Sequence, residues 1–231
     1  MTPIRTQRKT KFVQDILSIF SNFRHLGCGF LDYVRYAKSN DVPAIRDKIL
    51  KPIHQRLGYD EDDFYHEVAI PSGTIDLNIG PAKLQPVIAV KIQSANVKNL
   101  KPIRRDLLFP CLRELNASIG IITNGAKFEV WEQREAMILL ASLDFAPIVA
   151  EYTRGGLDAI SDKDFTKILK LMYLKKELRY ICDEHLYALP HLDISREIVF
   201  ENLLDDLAKI MEVVKMDIEE QFDLHLEDHK T

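Results

Sequence analysis

The sequence predicts an α/β protein, a sheet built from the middle of the chain with helices before and after it. Two observations carry this. Between Phe64 and Leu143 several short runs alternate apolar and polar side chains with a period of two, the mark of half-buried strands. On both sides of this region, and once inside it, apolar residues recur instead at helical spacing. Composition agrees. With 46% hydrophobic and 29% charged residues over 231 positions, the chain can fill a sizeable core and is not a disordered tail.

The first helical stretch runs from about Thr10 to Ala37. Phe12, Val13, Ile16, Leu17, Phe20 and Phe23 share a face, and a break is expected at Gly27-Cys28-Gly29. A second helix covers DVPAIRDKILKPIHQRLG, with Asp41 as N-cap, Ile45, Ile49, Ile53 and Leu57 inward, and Gly58 as the stop. Pro52 should kink or shorten it. Strands follow in FYHEVAI and GTIDLNIG, turned by PSG. In the second of these, Ile75, Leu77 and Ile79 face one way and Thr74, Asp76 and Asn78 the other.

The loop GPAKLQ leads to PVIAVKI, where Val87, Ala89 and Lys91 share one face and Ile88, Val90 and Ile92 the other. From Lys101 to Asn116 the pattern is helical, with Pro102 near the start and Ile103, Leu107, Cys111 and Leu115 inward. Pro110 has no obvious place inside it. Next, ASIGIIT and AKFEVWE flank Asn124-Gly125, the strongest short signal for a hairpin. MILLASL adds a further strand. Beyond it the chain is helical: one segment runs SDKDFTKILKLMYLKKELRYICDEHL. Another places Leu203, Leu207, Ile210 and Val214 at coiled-coil-like spacing, which suits a homodimer as well as packing back on the domain.

Several function classes are excluded or disfavoured. No apolar run approaches the roughly 18–20 residues that span a bilayer, and the basic opening MTPIRTQRKTKF lacks the apolar core of a secretory signal. Three cysteines, odd in number and widely spaced, form no zinc pattern. They point to buried thiols in a reducing, cytoplasmic setting. No phosphate-binding glycine loop, nucleophile elbow or Cys-His pair appears. Any motor or recognition activity would therefore come from a separate subunit. Asp183-Glu184-His185 reads as a helix-end charge cluster, and His54 and His66 as core or boundary residues. Trp131 is expected to pack against the sheet, and Glu67 could approach the site from the neighbouring strand.

The chemistry-bearing pair is Asp76 and Lys91. If GTIDLNIG and PVIAVKI pair as a hairpin, these two converge at one end of the sheet beside a basic helix start. A carboxylate can hold a hard divalent cation there, and the lysine can stabilise charge developing on a phosphate. Net charge is only −4, yet Lys91, Lys98, Lys101, Arg104 and Arg105 fall in a stretch without an acid, a candidate grip on nucleic acid.

From Asp41 to Trp131 the order IRDKILKPIHQRLGY, GTIDLNI, PVIAVKI, helix, GIITNGAKFEVWE resembles the PD-(D/E)XK nuclease superfamily. It is most similar to the N-terminal nuclease domain of type I restriction enzyme R subunits. The resemblance implies a restriction-endonuclease-like mixed sheet flanked by helices, with N- and C-terminal helical extensions. It divides the chain into a helical arm (1–40), a nuclease core (41–145) and a C-terminal helical region (146–231) that offers helices for dimerisation. It further implies a Mg²⁺- or Mn²⁺-dependent endonuclease of restriction or phage-defence character acting on DNA. Asp76 takes the metal-binding position, the Val90 carbonyl serves as an extra ligand, and Lys91 is the catalytic lysine. The family glutamate falls on Ala89, whose methyl group cannot ligate a metal. Residues Arg105 to Phe109 also lack the usual Gln and Tyr. An acid on the first helix, sometimes present in the family, would be Asp41 or Asp47, though neither matches closely. Ala89 fits either a natural non-cutting relative or an engineered inactive form. The alternative function is a non-catalytic nucleic-acid-binding or assembly subunit on the same scaffold.

Overall fold

Alternation and turn chemistry produce a six-stranded sheet in strictly sequential order, described here from a computed structural model covering residues 7–36 and 41–176. Its strands are β3 (Phe64–Ile70), β4 (Gly73–Ile79), β5 (Ile88–Ile92), β6 (Ile119–Thr123), β7 (Lys127–Gln133) and β8 (Met137–Asp144). All neighbours are antiparallel except β5 and β6, which are parallel and therefore need a crossover. That crossover is the helical segment 101–115, here α4. The result is a mixed α/β sheet flanked by helices.

The N-terminal apolar stripe forms α1 (Gln7–Asn22). It is followed by a tiny hairpin of β1 (Arg24–His25) and β2 (Cys28–Gly29), then α2 (Phe30–Tyr36). The break expected at Gly27 is this hairpin. Leu26 and Gly27 both have positive φ (49° and 80°), the backbone of a tight two-residue turn. Cys28 lies on it and is exposed, so the expectation of uniformly buried thiols fails; Cys111 is buried.

Helix α3 spans 42–56. Pro52 does not end it. The turn before the proline is widened, so that the Lys51 N–H donates to the Arg46 carbonyl five residues back. Proline has no N–H to give and would clash with a tighter turn. The same device absorbs Pro110 in α4, where the Phe109 N–H donates to the Arg104 carbonyl. The widened turn also shifts the helix phase: Leu108 rather than the expected Leu107 is fully buried, and Leu107 is exposed. Asp41 does not cap α3 with its side chain; its carboxylate pairs with His25 instead.

The two faces of the sheet are unequal. On one, α1, α2 and α3 pack with α5 (Phe145–Gly155) and α6 (Asp162–Leu169) over Leu77, Ile88, Val90, Ile121 and Phe128 in the main core. Phe20 stacks on Phe145 with ring centroids 4.2 Å apart, tying α1 to α5. On the other, among the described residues, α4 covers a smaller cluster of Ile75, Ala89, Leu108, Cys111, Leu112 and Ile122. Ile75 was expected on the side of Leu77 and Ile79. It joins the α4 cluster in the first part of β4, before the ladder with β5 begins at Leu77.

Helix α4 sits close on β6 because position 120 carries no side chain. A Cβ there would lie 2.4 Å from Leu112 Cδ1, and Leu112 is fully buried, so its side chain would have to shift within the packed cluster. Gly120→Ala is expected to cost about 1–3 kcal/mol by overpacking. The expected readout is a lower urea midpoint with an unchanged slope.

The long helix expected after Ser161 ends early within the described residues. Following α6 the chain tightens into a turn of 3₁₀ type (Lys170–Leu174), and Lys175 is extended. This lets the Lys176 N–H donate to the Leu57 carbonyl while its ammonium meets Asp63 at 2.7 Å. Asp183-Glu184-His185 and the C-terminal helix behind the dimer expectation lie outside the described residues. No helix among the described residues is long and apolar enough to cross a membrane.

Candidate functional site

Register brings Asp76 and Lys91 together. Leu77 pairs with Val90 and Asn78 with Ala89, so the next residues along, Asp76 and Lys91, face each other at the end of the ladder. Regular pairing stops there. Instead of a β4 carbonyl, the Asp76 carboxylate accepts the Ile92 N–H (2.7 Å, Oδ2). The same oxygen lies 3.0 Å from Lys91 Nζ, and both side chains are only 13% exposed. Lys91 Nζ also donates to the Thr74 carbonyl at 2.8 Å. Asp76 thus closes the fork where the two strands part. Its other oxygen, Oδ1, has no hydrogen-bond partner among the described residues.

Neighbouring groups come from β3, α3 and α4. Glu67 stands opposite Asp76 in the β3–β4 register, but its φ of 50° takes it out of regular pairing and its side chain is largely exposed. Arg46 of α3 lies near it (Nη1 to Oε1, 3.7 Å), holds Asp47 at 3.0 Å, and is close enough to feel the Asp76 charge. The hydrogen bond from Arg46 keeps the Asp47 carboxyl below its usual range. His66, expected at the core or its boundary, is exposed on β3. Partial burial, then Arg46 and Lys51, push its pKa down. On the other flank, Ser72 Oγ contacts Cys111 Sγ (3.5 Å), and the Ser72 N–H donates to Glu114 (2.9 Å). Burial pushes the Cys111 thiol up, so it is not a thiolate nucleophile at neutral pH.

Ala89 is wholly buried beneath α4, with Asn78 across on β4 and Gly120 across on β6. Its methyl group is packed by the α4 cluster rather than open to the site. Val90 pairs with Leu77 and Ile121, and its side chain belongs to the main core. As a cation site the arrangement offers Asp76 Oδ1 and little else at close range. Among the described residues no group of three or more His, Cys, Asp or Glu side chains is placed to hold a metal. Mg²⁺ takes one or two carboxylates and keeps several waters, so a single-carboxylate site would be weak.

The basic residues do not form one patch. Arg104 donates to Glu129 at 2.7 Å and lies 4.5 Å from the Trp131 ring centroid, while the Trp131 indole N–H donates to the same carboxylate (3.1 Å). Arg105 is exposed and paired with Asp106 at 2.6 Å. Lys98 and Lys101 line a cleft with Lys127 and Lys167, and the same Glu129 is part of its wall. The contributions of Arg46, Glu114, Lys127 and Lys167 were not legible in the sequence. A signal existed only for Lys127, which follows the Asn-Gly turn at an outward position of β7. Asn124 Oδ1 accepts the Ala126 and Lys127 N–H groups, fixing that turn. No protein-family model, curated protein or solved structure matches the chain.

Proposed function

We propose that the chain is an endonuclease-type module of the PD-(D/E)XK kind, of restriction or phage-defence character. It acts on DNA, and its phosphodiester site is reduced to Asp76 and Lys91 because Ala89 stands at the glutamate position. The supporting observation is the fork: a nearly buried carboxylate with one free oxygen lies 3.0 Å from an ammonium, where β4 and β5 diverge. When bound, Mg²⁺ or Mn²⁺ would supply Lewis-acid activation of a phosphate oxygen. The chain's own residues contribute Asp76 Oδ1 as a ligand and Lys91 as the positive charge facing the developing oxyanion. Lys98 and Lys101, without ion-pair partners among the described residues, contribute backbone affinity.

The second reading is a non-cutting nucleic-acid-binding subunit on the same scaffold. It is favoured by the lone carboxylate and by the burial of Ala89 under α4. One experiment separates the two. Plasmid nicking with Mn²⁺ is measured for the chain, for Ala89→Glu and for Ala89→Glu with Lys91→Ala. The nuclease reading expects no or slow cutting by the first, nicking by the second, and loss of nicking in the third. Ala89→Glu buries a carboxylate and should lower stability by about 2–4 kcal/mol. Mn²⁺ should recover part of that in the melting temperature, because a ligand bound only by the folded state stabilises it. A folded Ala89→Glu protein that neither cuts nor melts higher with Mn²⁺ removes the nuclease reading. Salt-dependent DNA binding that weakens in Lys98→Ala and Lys101→Ala would then support the second.

A further inference from the structure

A cleft of about 380 Å³ opens at the end of the sheet where β7 begins and β8 ends. It is lined by Lys98 and Lys101 at the entry to α4, Lys127 on β7, Ser142 on β8 and Lys167 on α6. That volume lies at the small end of the roughly 300–1,000 Å³ typical of ligand sites. It suits one compact group rather than a duplex.

The charges inside are unbalanced. Its two carboxylates are engaged: Glu129 accepts from Arg104 and Trp131, and Asp144 caps α5 by accepting the Ala146 N–H. Lys167 is paired with Asp164 at 2.6 Å. Lys98, Lys101 and Lys127 have no ion-pair partner among the described residues. Three uncompensated ammonium groups in one polar cleft favour a concentrated anion. The lining stays net positive despite its two acids, so its attraction grows with the charge on the ligand. A phosphomonoester, close to a dianion at neutral pH, meets that demand better than the single charge of each backbone phosphodiester.

Register relates this cleft to the Asp76–Lys91 fork. Lys91 pairs with Ile122, and Ile122 with Glu129, two residues from Lys127 on the same face of β7. With strands ~4.8 Å apart and a rise of ~3.4 Å per residue, the backbones at Lys91 and Lys127 lie roughly 12 Å apart. An end held at Lys127 therefore leaves an internal phosphodiester within reach of Lys91.

We infer that this cleft binds the terminal phosphomonoester of a nucleic-acid strand and so sets which internal bond reaches the fork. The inference rests on the nucleic-acid reading above. It is tested by fluorescence anisotropy of the full chain with a labelled oligonucleotide, phosphorylated at either end or carrying hydroxyl ends only. The phosphorylated form should bind about tenfold tighter, the worth of one charge-assisted contact. Lys127→Ala, an exposed change, should abolish that preference, so that the phosphorylated and hydroxyl-ended forms bind equally. Competition by a free mononucleotide would show that the cleft accepts the same group from either source. Failure to compete would confine it to strand ends; both outcomes support phosphomonoester recognition. Equal affinity for all end types, or a preference that survives Lys127→Ala, overturns the inference and leaves the nucleic-acid reading standing. Absence of binding to every oligonucleotide overturns that reading as well.

Discussion

Asp76→Ala is expected to lower the unfolding free energy by about 2–4 kcal/mol, among the largest effects of any polar substitution in the described residues. The carboxylate serves two donors at once, the Ile92 N–H at 2.7 Å and Lys91 Nζ at 3.0 Å. Removing it leaves a nearly buried ammonium with only the Thr74 carbonyl for company, and an unpaired backbone N–H. Most of the loss comes from what is left unpaired. The double replacement Asp76→Leu with Lys91→Met should therefore recover a large part of it, since an apolar pair of similar volume is often no less stable than an ion pair. Urea titrations of the single and double variants measure this directly. A single variant within about 0.5 kcal/mol of the parent would mean that water screens the pair as at an open surface.

Acid should destabilise the protein well before its carboxylates titrate, through His54. This ring is 1% exposed inside α3, its Nδ1–H donates to the Leu50 carbonyl at 2.8 Å, and Nε2 has no partner among the described residues. Burial pulls its pKa down from 6.5 to about 4. The unfolded chain therefore takes up a proton near pH 6.5 that the folded chain refuses until about pH 4. Stability is fully present above the unfolded value and is lost as pH falls towards the folded one, by about 3 kcal/mol in all. His66, also shifted down, acts in the same direction. Asp47 and Asp164, both held below the ordinary carboxylate value, contribute their losses only at lower pH. Urea midpoints at about pH 7.5 and about pH 4.5 test the window. His54→Leu should flatten most of the slope, and an unchanged slope would show that the ring is hydrated.

These two residues show different kinds of legibility. Asp76 and Lys91 could be brought together from sequence because period-two alternation assigns faces and a short loop enforces antiparallel neighbours. His54 could be placed on an apolar face but not assigned its protonation, which depends on how completely the surrounding elements exclude water. Most of the expected helices and strands that fall within the described residues recur because each has its own local signal: Asn124-Gly125 for the hairpin, the apolar stripe of α1, the alternation of β4 and β7. Misplacements came where a local rule met a tertiary demand. Pro52 should kink or shorten its helix and Pro110 has no obvious place in its own, yet a widened turn accommodates each, and the one before Pro110 exchanges Leu107 for Leu108 as the buried residue. Asp41 should cap α3, yet His25 holds its carboxylate.

Residue types and their periodicity were enough to establish an α/β chain, the order of most of its elements, and a facing Asp76–Lys91 couple, since these follow from interactions between near neighbours along the chain. Packing settled the rest. Close approach of α4 over Gly120 sealed Ala89 beneath Leu112 and its neighbours. The parting of β4 from β5 turned Asp76 from a ladder residue into an acceptor for Ile92. Folding β7, β8 and α6 against the start of α4 gathered lysines from positions 98, 101, 127 and 167 into one cleft. Each depends on contacts between segments distant in sequence, whose spacing no local pattern encodes.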